Sequence, residues 1–401
     1  MTEELLQEES TTPAGAAVPQ STRYRVTVLT PTLAGDGQKL SPIDYMVWKD
    51  QVNVLNQRRI FRLLAQGPRM ESYLGQLRKS EKLDFASWGG YAQNYAMRRI
   101  AFDDPATAEI YAKAPAEECF IPTFASGLKG IYLPASVLKG AIRLAMLVDR
   151  VSEGQIKAAV ESLNSDTPRR SAGVLESAIL GAQGVSRTRP VSLSDSRPIG
   201  NSATKVYLLR TATLADRGGK LEAGWKGGSR GALALNRASE STPFFAEMAA
   251  PGTVFEGDFR MPALFRQAEI NRAFRWKSAA GAVEIAKAAN HAATLLLNVH
   301  KKFSETAGLT HLAALCDALL KRVEEAQAAG RFLACIGWGT GLLSKTVWTA
   351  TSEENMREGL KPVPGYGQAL RTGMPFPKTR RLIIRNGRPA SMPGWVEVEL
   401  L

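Results

Sequence analysis

Cysteine and histidine are scarce in this sequence, with three of each among 401 residues. Cys119, Cys316 and Cys335 lie far apart and form no CxxC pair. An odd number of isolated cysteines excludes both a disulfide framework and a zinc knuckle. The sequence therefore predicts a cytoplasmic protein in a reducing compartment, with no metal and no cofactor.

Catalytic patterns are equally sparse. His291 and His300 are nine residues apart in a predicted helix, which places them on opposite faces. His311 has no second candidate at a diagnostic spacing, and the sequence has no GxSxG, HExxH or nucleophilic-cysteine pattern. We therefore predict that the protein is not an enzyme.

Long apolar runs are also missing. No stretch approaches the ~20 apolar residues that a helix needs to cross a bilayer. Residues 1–20 lack the positive start and apolar core of a signal peptide. They contain four glutamates and no base, which predicts a disordered acidic tail.

Positive charge, in contrast, is abundant. Lysine and arginine number 51 against 38 acids, which gives a formal net charge of +13. The excess is densest over residues 361–388, which hold seven bases, including Arg380 and Arg381, and no acid. Such an imbalance predicts a polyanionic partner, and nucleic acid fits it best. A solubilising surface is the structural alternative.

A helix predicted from Ser136 to Arg150 carries a second basic feature. Pro134 ends a strand, Ser136 can cap the helix, and Lys139, Arg143 and Arg150 follow along one face. We expect this face and the positive end of the helix dipole to be available to phosphate. A solvated basic stripe beside a core face is the alternative.

A glycine-rich loop runs from Gly337 to Gly341 and is followed by Lys345. Its glycines allow backbone amides to approach a phosphate, and Lys345 adds a positive charge. The pattern nearly matches a nucleotide-hydrolase P-loop, but Ser344 stands where a glycine should precede the lysine. We favour contact with a nucleic-acid backbone over a nucleotide hydrolase. A tight turn with Trp338 in the core is the structural alternative.

The order of strands and helices favours an α+β fold, because it lacks the regular alternation of a doubly wound parallel sheet. A strand with period-two burial is expected from Arg23, and a third glycine turn follows it at residues 30–37. Residues 217–236 are predicted to form a mobile basic loop, and residues 242–260 a hairpin. The chain is expected to divide near residue 200.

Four segments occur in an order that resembles the RAMP superfamily of CRISPR proteins. They are the glycine turn after the first strand, residues 134–143, residues 194–196 and residues 337–346. The sequence is most similar to the fifth-subunit family of the type III-A Csm effector complex, whose Pro-x-Asp-Tyr is matched at residues 42–45. It departs from that family at Leu33, where a histidine is usual, and at Ala135 and Val137, which replace a Gly and a Ser.

This resemblance implies two tandem ferredoxin-like, RRM-related RAMP domains with helical insertions, over residues 21–200 and 201–401. It implies a non-catalytic RNA-binding subunit that holds the 3′ part of the crRNA, caps the backbone filament and supports crRNA maturation and antiviral defence. The implied partners are crRNA, target RNA through the complex, the repeated RAMP backbone subunit, the small subunit, and host nucleases for 3′ trimming. A RAMP endoribonuclease that processes precursor crRNA is the main alternative.

Together the motifs and the resemblance give one set of candidate residues. The predicted RNA-binding residues are Thr30, Gly35, Gly37, Ser136, Lys139, Gly140, Arg143, Gly337, Trp338, Gly339, Thr340, Gly341, Lys345, Arg380 and Arg381.

Overall fold

The structure of the chain is a computed structural model. It describes residues 22–65, 69–79, 82–83, 94–163, 168–228, 234–276, 279–363, 365–371 and 373–401. The predicted tail, residues 1–20, lies outside this range.

The helices of the described residues are α1 Gln57–Leu64, α2 Arg69–Lys79, α3 Pro105–Lys113, α4 Ala135–Arg150, α5 Glu153–Leu163, α6 Pro168–Leu180, α7 Ala268–Ala273, α8 Ala282–Thr306, α9 Thr310–Ala328, α10 Glu353–Leu360 and α11 Gly367–Leu370. None of them combines the length and the apolar character needed to cross a bilayer.

The strands are β1 Thr22–Val28, β2 Lys39–Leu40, β3 Tyr45–Trp48, β4 Gln51–Leu55, β5 Ala96–Ala101, β6 Ile121–Pro122, β7 Ser126–Gly127, β8 Gly130–Ile131, β9 Ser192–Leu193, β10 Thr204–Arg217, β11 Lys220–Trp225, β12 Phe244–Ala249, β13 Val254–Arg260, β14 Phe332–Cys335, β15 Thr379–Arg385, β16 Arg388–Ser391 and β17 Trp395–Leu400.

The first of two large sheets is antiparallel, in the order β14-β17-β1-β13-β9. Its middle strand, β1, has the expected alternation, because Tyr24, Val26 and Val28 are buried while the residues between them are not. Val26 pairs with Phe255 on one side and with Val398 on the other. This sheet therefore contains strands from before and after residue 200, and the division there stays a prediction.

The second sheet is built around the long strand β10. Strands β12 and β11 pair with the first and second halves of β10 along one edge. Strand β15 pairs with the other edge of β10, and β16 pairs with β15. The arrangement supports the α+β class, since the paired strands are antiparallel and the helices are not interleaved with them in parallel crossovers.

Helices α4 and α8 pack together against the first sheet. Leu138, Ile142 and Met146 of α4 are buried in one core cluster with Ala288 and Ala289 of α8. Because these residues recur at helical spacing, α4 has one apolar face and leaves the opposite face to solvent. Helix α4 is thereby fixed beside the edge strand β14 and the glycine loop that follows it.

Two predictions about strands were wrong. Residues 242–260 form two strands but no hairpin, because β12 joins the second sheet and β13 joins the first. The predicted loop at 217–236 contains β11, which pairs with β10 and buries Trp225. A single large aromatic side chain supplies the apolar area that this basic segment otherwise lacks.

Candidate nucleic-acid interface

The glycine loop leaves β14 through alternating left-handed residues. Gly337, Gly339 and Gly341 have φ angles of 84°, 85° and 88°, a region that other residues adopt only with strain. A Cβ on Gly337 would lie 2.2 Å from the Leu33 carbonyl oxygen, and the Trp338 amide donates to that same oxygen at 2.8 Å. Glycine is therefore required where the loop meets the turn after β1.

Internal hydrogen bonds hold the loop in shape. The Thr340 hydroxyl donates to the Gly337 carbonyl oxygen at 3.1 Å, and the Ser344 hydroxyl donates to Thr340 Oγ1 at 2.7 Å. The backbone amides of Gly339 and Gly341, however, have no acceptor among the described residues. They are donors that a ligand or water must satisfy.

The residues after the loop do not form a P-loop. A nucleotide-hydrolase P-loop leads directly into an α-helix whose first turn faces the phosphates. Here Leu343–Lys345 form a single 3₁₀ turn, followed by another 3₁₀ segment at Val347–Ala350. The geometry therefore does not support the nucleotide-hydrolase alternative.

On one side of the loop lies a cavity of about 610 Å³ beside α4. Ser136, Gly140 and Arg143 of α4 line it together with Gly337 and Lys345, so the structure brings these five predicted residues together. Its remaining wall is largely apolar, formed by Leu144, Leu147, Ile156, Val160, Trp348, Leu360 and Val363. We call it the α4 cavity.

Acidic residues compensate much of the positive charge on this side. Arg143 pairs with Glu176 at 3.3 Å, and Arg150 pairs with Glu284. Lys139 is exposed on the same helix, one turn before Arg143, and has no ion-pair partner in the described part of the chain. Protein atoms around the Lys345 ammonium lower its pKa by desolvation, so its positive charge is disfavoured.

The start of α4 also differs from the prediction. Its N-cap residue is Pro134, without a side-chain cap, so Ser136 does not cap the helix. Instead, Asp195 Oδ1 accepts a hydrogen bond from the Ala135 amide at 2.8 Å. A carboxylate thus occupies the positive end of the helix dipole that we expected to be available to phosphate.

On the other side of the loop lies a groove of about 410 Å³, which we call the cationic groove. Gly339, Thr340 and Gly341 line it together with the basic residues Lys226, Lys378, Arg380 and Arg381 and with His300. The lining residues include no aspartate and no glutamate. The loop therefore borders a concave surface whose formal charge is entirely positive.

Arg381 is held in this groove by two aromatic rings. Its guanidinium lies 4.3 Å from the centre of the Trp338 ring and 4.9 Å from that of Phe244. Such cation–π contacts fix the plane of the guanidinium and contribute about 0.5–1 kcal/mol each. Burial lowers the pKa of Arg381, yet an arginine stays charged at neutral pH.

Arg380 has a different environment from its neighbour. It is 8% exposed, its Nε donates to His300 Nδ1 at 2.9 Å, and its guanidinium lies 4.5 Å from the centre of the Phe303 ring. Burial and this cation lower the pKa of His300 well below its usual value, so the imidazole is neutral. We therefore leave Arg380 out of the proposed RNA-binding surface.

The turn at residues 30–37 contacts the glycine loop through its backbone. Thr30 is buried, and its Oγ1 accepts a hydrogen bond from the Trp395 amide at 3.0 Å. Gly35 and Gly37 are exposed. Thr30 therefore holds β17 in place, while the two glycines lie at the surface.

The histidines form no shared site. His300 is buried, His291 Nδ1 lies 2.9 Å from Asp149 Oδ1 at the surface, and His311 is exposed at the start of α9. Across the described ranges, no group of three or more His, Cys, Asp or Glu residues could hold a metal ion.

Sequence reasoning missed Lys226 and Lys378 as site residues. Both lie in basic stretches that were noted, but these stretches are about 150 positions apart. Only the pairing of β10 with its neighbours brings them to one groove, and a single sequence does not reveal that pairing.

The fold and this interface define an α+β protein with a basic, glycine-loop surface suited to a nucleic-acid backbone. No protein-family model and no curated protein matches the sequence. Several solved structures are similar to the chain, and two of them come from Csm proteins. One is a chain of a Csm–crRNA–target RNA ternary complex of a type III-A CRISPR-Cas system, with a TM-score of 0.65 and 19% identity, covering 94% of this chain and 100% of that one.

The other is Csm5 of T. onnurineus, with a TM-score of 0.60 and 16% identity over 94% of this chain and 100% of that one. The chain thus has the fold found in Csm5, as the resemblance in its motifs implied. At this level of identity the likeness concerns the fold, and function must be argued from the residues.

Proposed function

We propose that this protein is a non-catalytic RNA-binding subunit of a type III-A CRISPR ribonucleoprotein effector. It binds the 3′ part of the crRNA and caps the backbone filament, next to the repeated RAMP backbone subunit and the small subunit, and it meets target RNA within the complex. The fold that it shares with Csm5, over nearly the whole length of both chains, supports this assignment.

One observation carries the RNA-binding part of the proposal. The Gly339 and Gly341 amides lack acceptors in the described residues, and their loop lines a groove without acids together with Lys226, Lys378 and Arg381. A ribose-phosphate backbone supplies acceptor oxygens and negative charge together, which satisfies both sides of the groove. Lys139, Gly35 and Gly37 are exposed outside the groove and stay candidates for further RNA contacts.

The proposed subunit holds RNA without cutting it. Metal-independent cleavage needs a general base that can reach a ribose hydroxyl, and histidine usually supplies it. His300 has its Nδ1 occupied by Arg380 in the interior, and His291 is engaged with Asp149 at the surface. His291 is not among the residues that line the cationic groove, and His300 lines it with its Nδ1 already accepting the Arg380 hydrogen bond.

Co-purification tests the assembly. The chain is expressed with and without the products of its neighbouring genes, and bound RNA and proteins are identified. We expect it to purify with a guide RNA in a larger particle when the neighbours are present. A chain that joins no particle and carries no RNA under both conditions contradicts the proposal.

Incubation with a labelled repeat RNA, without metal, tests the endoribonuclease alternative. We expect the RNA to be bound and to remain intact. Specific cleavage that is lost in a His291→Ala, His300→Ala or His311→Ala variant, with RNA binding retained, would establish the alternative instead.

A further inference from the structure

The cationic groove has the dimensions of a site for one nucleotide. Its volume of about 410 Å³ falls in the range of small-molecule sites, roughly 300–1,000 Å³. Tyr366 and Phe376 line one end, where their rings pack edge to face with centres 6.0 Å apart. Phosphate-binding groups and an aromatic surface therefore lie within one concave site.

The three cations are held in place by the second sheet. The Lys226 amide donates to the Thr211 carbonyl oxygen at 3.0 Å, and Thr211 pairs with Arg381 across β10 and β15. The Lys378 carbonyl oxygen accepts from the Leu214 amide at 2.9 Å. Because their backbones are fixed, a ligand can reach these side chains without first ordering a loop.

These cations repel each other in the absence of an anion. Burial lowers the pKa of Lys378, and the charge of Lys226 lowers it further. In the described part of the chain, none of the three has an ion-pair partner. An anion between them would relieve this repulsion and also accept hydrogen bonds from the free loop amides.

We propose that this groove holds a single phosphorylated ribonucleotide, with its phosphate between Lys226, Lys378, Arg381 and the Gly339 and Gly341 amides and its base against Tyr366. The inference deepens the proposed function and rests on it for the source of the nucleotide, a guide RNA. The phosphate is either the terminal phosphate of the strand or an internal phosphodiester, and the experiment distinguishes the two.

The test measures the affinity of the full chain for short single-stranded RNA, labelled at its 5′ end and ending in either a 3′-phosphate or a 3′-hydroxyl. Each lost charge-assisted contact costs about tenfold or more in affinity, so Lys226→Ala plus Lys378→Ala should weaken binding by roughly a hundredfold or more. A loss confined to the 3′-phosphorylated RNA assigns the terminal phosphate. An equal loss with both RNAs assigns an internal phosphodiester.

Two further variants test the rest of the site. Tyr366→Ala should weaken binding by roughly fivefold or more, since stacking contributes about 1–3 kcal/mol per base, whereas Tyr366→Phe should bind like the wild type. Lys113→Ala plus Lys321→Ala removes two exposed lysines outside the groove, from α3 and α9, and serves as the matched control for charge.

The inference and the proposed function fail in different ways. If wild-type protein binds RNA and the groove variants bind it equally well, the groove site is wrong and the proposed function stands. If wild-type protein binds neither RNA, the proposed function fails, and a calorimetric titration with adenosine 3′-monophosphate then decides the groove. If adenosine 3′-monophosphate binds to wild-type protein but not to the Lys226→Ala plus Lys378→Ala variant, the groove site is supported. If it does not bind to wild-type protein, the groove site is wrong.

Discussion

The two sides of the glycine loop differ in how their positive charges are compensated. In the α4 cavity, Arg143 is paired with Glu176, and Asp195 occupies the start of the helix. In the cationic groove, Lys226 and Lys378 have no acidic neighbour among the lining residues. The same loop thus separates a mostly apolar cavity from a surface that attracts anions.

This difference teaches that a run of bases in the sequence is a poor measure of a binding surface. The basic stripe of α4 has regular helical spacing in the sequence, but acids more than 30 positions away compensate much of it. The groove draws its cations from distant strands and leaves them uncompensated. The electrostatic potential at a surface depends on the charges that surround each base in the fold. Sequence spacing shows only some of these neighbours.

The largest effect is expected from changing the loop that separates the two sides. Gly337→Ala places a Cβ 2.2 Å from the Leu33 carbonyl oxygen in a left-handed residue, and should lower the free energy of unfolding by roughly 2–5 kcal/mol. Gly341→Ala, at a similar φ but with nothing within 4 Å, should cost only about 1 kcal/mol. Urea unfolding measures both, and equal losses would contradict the close contact.

The next effect concerns the arginine held between two rings. Arg381→Ala should lower the free energy of unfolding by about 1–2 kcal/mol through the loss of two cation–π contacts, and should also weaken RNA binding. Arg381→Lys keeps the charge but loses the planar stacking, so it should recover only part of the lost stability and part of the lost RNA affinity. Arg388→Ala, at an exposed arginine outside both cavities, is the control and should be neutral in unfolding experiments.

The pH dependence of RNA binding should report on Lys378 in the cationic groove. The pKa of Lys378 is lowered from 10.5, so affinity should fall as pH rises through this lowered pKa. The protonated lysine is disfavoured in the fold, so the stability of the free protein should instead rise between the lowered pKa and 10.5. Lys378→Arg should remove the fall in affinity, because arginine stays charged, and only part of the rise in stability, because burial also lowers the pKa of Lys345. A fall in affinity that persists in this variant would assign it to another group.

The smallest effect is expected from releasing a compensated charge in the α4 cavity. Glu176→Gln frees Arg143 from its ion pair and should tighten RNA binding by about two- to threefold, in line with the small energies of exposed pairs. Glu109→Gln makes the same charge change on α3, at an exposed glutamate, and should have no effect beyond that of net charge. An equal gain in both variants would show that Glu176 does not restrain Arg143.

Much of the fold could be predicted from local patterns. The period-two burial of β1 and the helical spacing in α4 appear directly in the sequence, and both elements lie within a few residues of where they were expected. The pairing of strands could not be predicted in the same way. The separation of β12 from β13 depends on which sheet each strand joins, a long-range choice that the turn between them does not encode.

The candidate site was predictable to a similar degree. The special backbone of Gly337–Gly341 follows from its composition, and the structure places Arg143 and Lys345 around one cavity. The burial of Arg380 could not be anticipated, because it depends on His300 and Phe303 from a helix 80 positions away. Arg380 and the adjacent Arg381 both line the groove, but hydrogen bonds to His300, Pro377 and Thr379 engage Arg380.

The salt dependence of RNA affinity tests the central claim, that uncompensated cations beside the glycine loop hold an RNA backbone. For wild-type protein and single-stranded guide RNA, log K should fall linearly with log salt, by about 0.7 per neutralised phosphate. Lys226→Ala plus Lys378→Ala should make this slope shallower by more than Lys139→Ala plus Arg143→Ala does. A wild-type affinity that is indifferent to salt, or a slope that the groove variant leaves unchanged, would contradict the claim.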